Sequence, residues 1–230
     1  MPLTVVDFSV TCAPILELPR SAEVVIEGGV NASNAAALKE KITSSLDRRI
    51  AYVSILMKNV AYVNSSGFGY FMDLAGMLER RGGALVLVEV QPKVKVVFNN
   101  LGMQNFFRFE LSGENARAFL RAQAEKVARS PRVVPLNGPD ENIEFPIVGT
   151  SIKIGGDLRS TIVLKHAEVE ARHCEVYRTG DSCSVRDLGT RFGTFVGKNK
   201  INDQPLHGGD IITVGPYRLA YYPAGVVHKA

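Results

Sequence analysis

The stretch Val60-Ala61-Tyr62-Val63-Asn64-Ser65-Ser66-Gly67-Phe68-Gly69 decides how the first half of this chain reads. Its β-branched and aromatic start predicts a strand ending at Val63. The two hydroxyls and two glycines behind it predict a turn into a helix that begins near Ser66. Backbone N–H groups left free at a helix start, together with the positive end of the helix dipole, favour an anion there. A phosphoryl group on a turn serine would sit in that field. The plainer reading of such serines is capping, and Ser66 suits a purely structural cap. Gly67 and Gly69 predict a flat surface that another protein can approach closely.

Strands and helices alternate around this turn. Glu23-Val24-Val25-Ile26-Glu27 and residues 51–57 read as strands, and Ala84-Leu85-Val86-Leu87-Val88 is so uniformly apolar that both its faces must be covered. Leu38, Ile42 and Leu46 mark one helix. Phe71, Leu74, Ala75 and Leu78 mark a second, ending at Gly82-Gly83. A third follows Pro92, with Val94, Val97, Phe98 and Leu101 on its inner face. The pattern predicts an α/β domain in which a sheet packs against helices.

Farther along, Ala116, Phe119, Leu120, Gln123 and Val127 share one helical face while Arg117, Arg121 and Glu125 share another, with Ser112 as the N-cap. The segment Ser130-Pro131-Arg132-Val133-Val134-Pro135-Leu136-Asn137-Gly138-Pro139-Asp140 has three prolines and an Asn-Gly in eleven residues and reads as a linker without regular structure. Beyond it, short apolar segments recur at 147–148, 152–154, 162–164, 174–177, 183–185, 211–214 and 219–222, separated by Gly, Asp and Asn turns. That spacing predicts an all-β sandwich. The expected division is residues 1–112, a helix and Pro-rich linker over 113–142, and a second domain over 143–230.

The first half resembles a STAS domain, the module of bacterial anti-sigma factor antagonists. Gly28-Gly29-Val30-Asn31, Asn64-Ser65-Ser66-Gly67-Phe68-Gly69, Gly82-Gly83 and Lys95-Val96-Val97-Phe98-Asn99-Asn100-Leu101-Gly102 carry the resemblance. It implies a partner that is an anti-sigma factor or related Ser/Thr kinase-like protein. It further implies phosphorylation at Ser65 and a partner-binding surface of Asn31, Asn64, Ser65, Ser66, Gly67 and Phe68. Asn31 and Asn64 stand where the family usually has Asp.

The second half resembles a forkhead-associated (FHA) domain, a reader of phosphothreonine peptides. Ile154-Gly155-Gly156-Asp157, Ile162-Val163-Leu164, Val169-Glu170-Ala171-Arg172-His173, residues 187–196 and residues 206–215 carry this resemblance. Gly156 stands where the family has a phosphate-binding Arg, Glu170 and Ala171 where it has Ser and Arg, and Phe192 where it has Asn. The resemblance therefore implies a kept fold and a degenerate phosphopeptide site at Gly156, Glu170, Arg172, Thr190, Arg191 and Phe192. Arg159, Arg172, Thr190 and Arg191 are the candidates for a rebuilt pocket.

Composition bounds the remaining chemistry. The net charge of +4 divides as +1 over residues 1–110, +3 over 111–135 and 0 over 136–230, so neither end is a basic domain and nucleic acid is not an expected partner. No run approaches the ~18 apolar residues of a membrane helix, and the first seven residues lack the pattern of a signal peptide, which predicts a cytoplasmic protein without a membrane partner. Cys12, Cys174 and Cys183 form no C-x-x-C pair, and His166, His207 and His228 lack metal-ligand spacing, so neither metal nor cofactor is expected. His173 beside Cys174 reads as structural because neighbours on a strand face opposite ways. No nucleophile elbow, Walker loop or carboxylate pair occurs. The expectation is a non-enzymatic signalling adaptor, with a phosphopeptide reader or a phospho-independent scaffold subunit as alternatives.

Overall fold

The structure is a computed structural model and describes residues 8–45, 47, 49–103 and 106–225, the side chains of Lys39 and Ser45 excepted. The first seven residues, Leu46 and His228 lie outside the described residues. Contacts divide the chain into two units, one of Met1–Glu79 with Gly83–Ala124 and one of Arg80–Gly82 with Glu125–Ala230.

The first unit runs β1 (Ser9–Pro14), β2 (Ser21–Val30), α1 (Ala35–Ser45), β3 (Tyr52–Val63), α2 (Ser65–Arg80), β4 (Ala84–Val88), α3 (Pro92–Asn100), β5 (Arg108–Glu110) and α4 (Gly113–Ala128). Its sheet has the order β1-β2-β3-β4-β5, with β1 antiparallel to β2 and the other neighbours parallel. The short edge strands β1 and β5 had no periodicity to announce them. Two-sided burial of β4 is as expected. Leu85 and Leu87 join the core that holds Leu38, Ile42, Phe71, Leu74, Val94 and Phe98 from three helices. Val86 and Val88 face the other way, onto Ala116 and Leu120 of α4. Fully burying each such side chain contributes about 1.5–3 kcal/mol.

This second layer alters the expected division. A boundary at residue 112 would strip α4 from the sheet, whereas its apolar stripe is what covers that face. Ser112 caps the helix as expected, its Oγ accepting from the Asn115 amide at 3.2 Å. The basic stripe is docked too, Arg117 pairing with Glu23 at 3.3 Å and Arg121 with Glu17 at 3.2 Å. On α3 the expected face is corrected: Val94 and Phe98 are buried, but Val97 and Leu101 are 37% and 49% exposed. The helix ends at Asn100, so Leu101 leaves the face that a longer helix would have kept.

The second unit is all-β, with β6 (Arg132–Pro135), β7 (Phe145–Pro146), β8 (Ser151–Gly155), β9 (Ile162–Val163), β10 (Cys174–Thr179), β11 (Ser182–Asp187), β12 (Thr194–Val196), β13 (Asn199–Ile201), β14 (Asp203–Leu206), β15 (Ile211–Val214) and β16 (Tyr217–Tyr222). They form two sheets, β14-β11-β10-β8-β9 and β13-β12-β15-β16-β6-β7, that enclose one core including Val133, Ile154, Val176, Val185, Ile212 and Leu219. The expected linker over 130–140 is wrong in its middle. Residues 132–135 form a strand between β16 and β7, with Val133 opposite Tyr221 and Phe145. The prolines bracket the strand and do not interrupt it, since Pro131 precedes it and Pro135 closes it. The strand expected at Ile147-Val148 lies just upstream, at Phe145–Pro146.

Candidate functional site

In the first unit the β2–α1 and β3–α2 connections meet at the carboxyl ends of two parallel strands. The Asn64 amide donates to the Val30 carbonyl at 2.9 Å and so joins the two connections. Asn31 holds its own turn, with Oδ1 accepting from the Ser33 amide at 2.8 Å, while its Nδ2 donates to the Tyr62 hydroxyl at 2.9 Å. The Tyr62 ring lies over Gly29, where a Cβ would fall 2.1 Å from ring carbon. Asn34 starts α1: its carbonyl accepts from Leu38 at 2.8 Å and its Oδ1 accepts from the Asn31 amide at 2.8 Å.

The α2 start is capped two residues earlier than expected, at Asn64 and not at Ser66. Asn64 Oδ1 accepts from the Gly67 amide at 3.1 Å, and its carbonyl accepts from Phe68 at 3.0 Å. Asn64 is therefore the N-cap, and the structural role expected of Ser66 is corrected. Ser65 and Ser66 occupy the first helical positions, both exposed, and their hydroxyls have no hydrogen-bond partner among the described residues. Neither α1 nor α2 carries an acidic residue in its first turn, so the positive end of each dipole is left unbalanced by a nearby carboxylate of its own helix.

Two residues expected on this surface are not on it. Phe68 is 2% exposed and packs edge-on against Phe98 at 4.4 Å between centroids. Gly67 is buried, and a Cβ there would lie 2.6 Å from Val30 Cγ1 and 2.9 Å from Val63 Cγ1. Gly67 therefore serves the close approach of α2 to β2 and β3, and not the approach of a partner. Gly69 is exposed, with open space where a side chain would go. The surface that remains is Asn31, Tyr62, Asn64, Ser65, Ser66 and Gly69. Tyr62 is the member that sequence reasoning missed, and its place two residues before the Asn64 turn was the available signal.

In the second unit, the loops that follow β8, β9 and β11 are tied together by internal bonds. Asp187 organises the last of them. Its Oδ1 accepts from Thr190 Oγ1 and Thr194 Oγ1, both at 2.7 Å, and its Oδ2 from the amides of Thr190 at 2.8 Å and Gly189 at 3.0 Å. Burial pushes the Asp187 carboxyl up, but these bonds outweigh it and hold the group below the usual carboxylate range. Thr190 is 9% exposed, and its hydroxyl also accepts from the Gly193 amide at 3.0 Å. It is committed to the loop, which removes it from the rebuilt-pocket candidates.

Glu170, in a position where the family has Ser, accepts from the Arg191 amide at 2.7 Å and bridges two loops. The Arg191 guanidinium sits over the Phe192 ring at 5.5 Å, and Phe192 is 42% exposed. Gly156 donates its amide to the Glu170 carbonyl at 2.8 Å and offers no side chain. His173 is fully buried. Its Nδ1 accepts from the Glu170 amide at 3.2 Å, which leaves Nε2 as the protonated nitrogen, donating to the Gly193 carbonyl at 3.2 Å. The expected structural histidine is what the bonds describe. Burial pushes the neighbouring Cys174 thiol up to about 12, which keeps it protonated and unreactive. Arg159 and Arg172 line a cleft together with Lys153, Asp157 and Ser160. Among the described residues no group of three or more His, Cys, Asp or Glu is placed to hold a metal ion, and no helix is long and apolar enough to cross a membrane.

Comparison with known proteins places both halves. The STAS domain model matches residues 15–116 and the FHA domain model matches residues 152–215. BtrV of Bordetella bronchiseptica, assigned as an anti-sigma factor antagonist, is 30% identical over 93 residues, 40% of this chain and 80% of that protein. The oxoglutarate dehydrogenase inhibitor of Corynebacterium jeikeium is 33% identical over 92 residues, 40% of this chain; the match spans 64% of that relative's length. An FHA domain from Chlamydia trachomatis covers 42% of this chain and 99% of its own, at 20% identity and a TM-score of 0.39.

Proposed function

We propose that this chain, which belongs to the STAS-domain family of anti-sigma factor antagonists and carries an FHA domain behind that module, is a non-enzymatic cytoplasmic adaptor whose STAS surface captures a protein partner until Ser65 is phosphorylated. The partner is an anti-sigma factor or a related Ser/Thr kinase-like protein, and the FHA unit serves as a second protein-interaction module.

One observation carries the reading. Asn64 supplies the helix cap, so the Ser65 hydroxyl is not consumed by the fold and stands exposed at the first position of α2. A phosphate there adds about −1.5 to −2 charges. The uncompensated positive end of α2 tolerates that charge, so modification leaves the unit folded. The docking surface around it changes from neutral Asn31, Tyr62, Asn64 and Ser66 to strongly anionic, and a partner matched to the neutral surface is repelled.

The test is a partner titration with wild type, Ser65→Asp and Ser65→Ala, the partner being recovered from the source cells with and without phosphatase. Ser65→Asp is expected to weaken capture while Ser65→Ala retains it. Equal affinity for wild type and Ser65→Asp would remove the switch and leave a phospho-independent scaffold.

A further inference from the structure

We infer that β1 is a self-association edge: a second copy of this chain lays its own β1 antiparallel to the first, about a two-fold axis at Thr11, and joins two five-stranded sheets into one. The inference concerns the rim of the first sheet and does not depend on the reading of Ser65.

A strand at the rim of a sheet presents backbone N–H and C=O groups to other chains, and most proteins blunt such rims with short length, charge or proline. Among the described residues the three sheets end in six outer strands. Five of them are blunted. Strands β7 and β9 have two residues each, and β5 has three, of which Arg108 and Glu110 are charged and paired to each other at 2.6 Å. Strand β13 carries Lys200, and β14 carries Asp203 and Pro205. The exception is β1, Ser9-Val10-Thr11-Cys12-Ala13-Pro14, which is six residues long, holds no charge and has its proline at the last position only.

The pairing with β2 fixes which backbone atoms of β1 face outward. The two strands lie opposite one another without a bulge, from Ser9 against Glu27 to Pro14 against Ala22. One step farther, the Ile15 amide donates to the Ser21 carbonyl at 3.5 Å, while the adjacent Arg20 carbonyl accepts from Tyr52 of β3 at 3.1 Å. Bonding direction alternates along a strand. The odd-numbered residues of β1 therefore turn their backbone groups to β2, and Val10, Cys12 and Pro14 turn theirs away from the sheet.

This alternation selects the occupant and its register. In an antiparallel pair the residues that exchange bonds stand opposite each other. With Thr11 on the axis, Val10 of one copy faces Cys12 of the other, each offers a donor and an acceptor to its counterpart, and the axis repeats the pair. Pro14 then falls at the end of the ladder, where its missing donor costs least. An axis at Cys12 would set Val10 against Pro14, which lacks that donor, and an axis at Val10 would pair only residues 9–11 of the strand. The two-fold also keeps the faces matched. Val10 and Cys12, which pack toward the core under the helices, stay on one side of the joined sheet, and exposed Thr11 and Ala13 stay on the other. Thr11 meets Thr11 of the second copy at a non-hydrogen-bonded position, with Cα atoms about 4.5 Å apart. An uncharged strand meets its own copy without repulsion.

The test is the mass of the full chain by light scattering, from low-micromolar to sub-millimolar concentration. The expected result is a rise with concentration from 25.0 kDa toward twice that mass. Thr11→Lys and Thr11→Glu each set like charges across the axis and should weaken the dimer at least about tenfold, while an equimolar mixture of the two should restore it. Thr11→Cys in a Cys12→Ser background should form an interchain disulfide on mild oxidation, because the axis brings position 11 of both copies together. Circular dichroism reports whether each variant is folded. A mass of 25.0 kDa at every concentration, which would leave the edge to a strand of some other protein, overturns the inference. So does a dimer that both charged variants leave intact, a mixture that fails to recover it, or the absence of the cross-link.

Discussion

At the residue scale, the site in the first unit depends on which atom caps α2. Asn64 Oδ1 satisfies the Gly67 amide, so Asn64→Ala should cost about 1 kcal/mol, read as a lower urea midpoint at unchanged slope. Asn64→Asp keeps the acceptor and adds a charge that the helix dipole favours, so its stability should stay within some tenths of a kcal/mol of wild type. The family usually has Asp there, and we expect the rate of Ser65 phosphorylation by a cognate kinase to differ between wild type and Asn64→Asp. Equal rates in a kinase assay would show that the asparagine is kinetically silent.

Asp187 permits a prediction with a definite pH sign. Its folded pKa lies below its unfolded value, so its contribution is present above the unfolded pKa of about 3.9 and is lost as pH falls through the lower folded value. Asp187→Ala should cost about 1–3 kcal/mol near neutrality, because the fully buried Thr194 loses the acceptor of its hydroxyl. The gap between wild type and variant in urea unfolding should narrow as the solution is acidified below the ordinary carboxylate range. A gap that stays constant down to that range and through it would show that the carboxylate charge contributes nothing.

At the element scale, β6 decides where the second unit begins. A fragment starting at residue 143, the boundary the composition suggests, lacks the strand that joins β16 to β7 and lacks the buried Val133. That fragment should aggregate or fail to melt cooperatively, since an open inner edge of β16 is exposed to other chains. A fragment starting near residue 129 should melt cooperatively. Circular dichroism melts of the two fragments check this, and cooperative melting of both would show that β6 is dispensable.

At the scale of the whole molecule, the three cysteines divide by burial. Cys174 and Cys183 are in the core of the second unit and burial raises both thiols, whereas Cys12 on the edge strand β1 is partly exposed. A thiol reagent should label Cys12 in the native protein, and all three cysteines after denaturation. Rapid native labelling of Cys174 or Cys183 would mean that the sandwich opens readily.

The sequence by itself determined the class of each half, because period-3.6 stripes, an apolar five-residue strand and evenly spaced short strands are local signals. It also determined the turn at residues 64–69 and the side chains offered at positions 156, 170 and 192, none at Gly156, a carboxylate at Glu170 and an aromatic ring at Phe192, since these are matters of residue type. Tertiary structure decided the rest. It made 132–135 a strand because pairing with β16 satisfies its backbone, whatever its proline content. It buried Gly67 and Phe68 because α2 packs closely on β2 and β3, and it gave the cap to Asn64, which left Ser65 free. It also gathered Lys153, Ser160 and Arg172, separated along the chain, around one cleft, because strand pairing and loop bonds fix neighbours that no local pattern encodes.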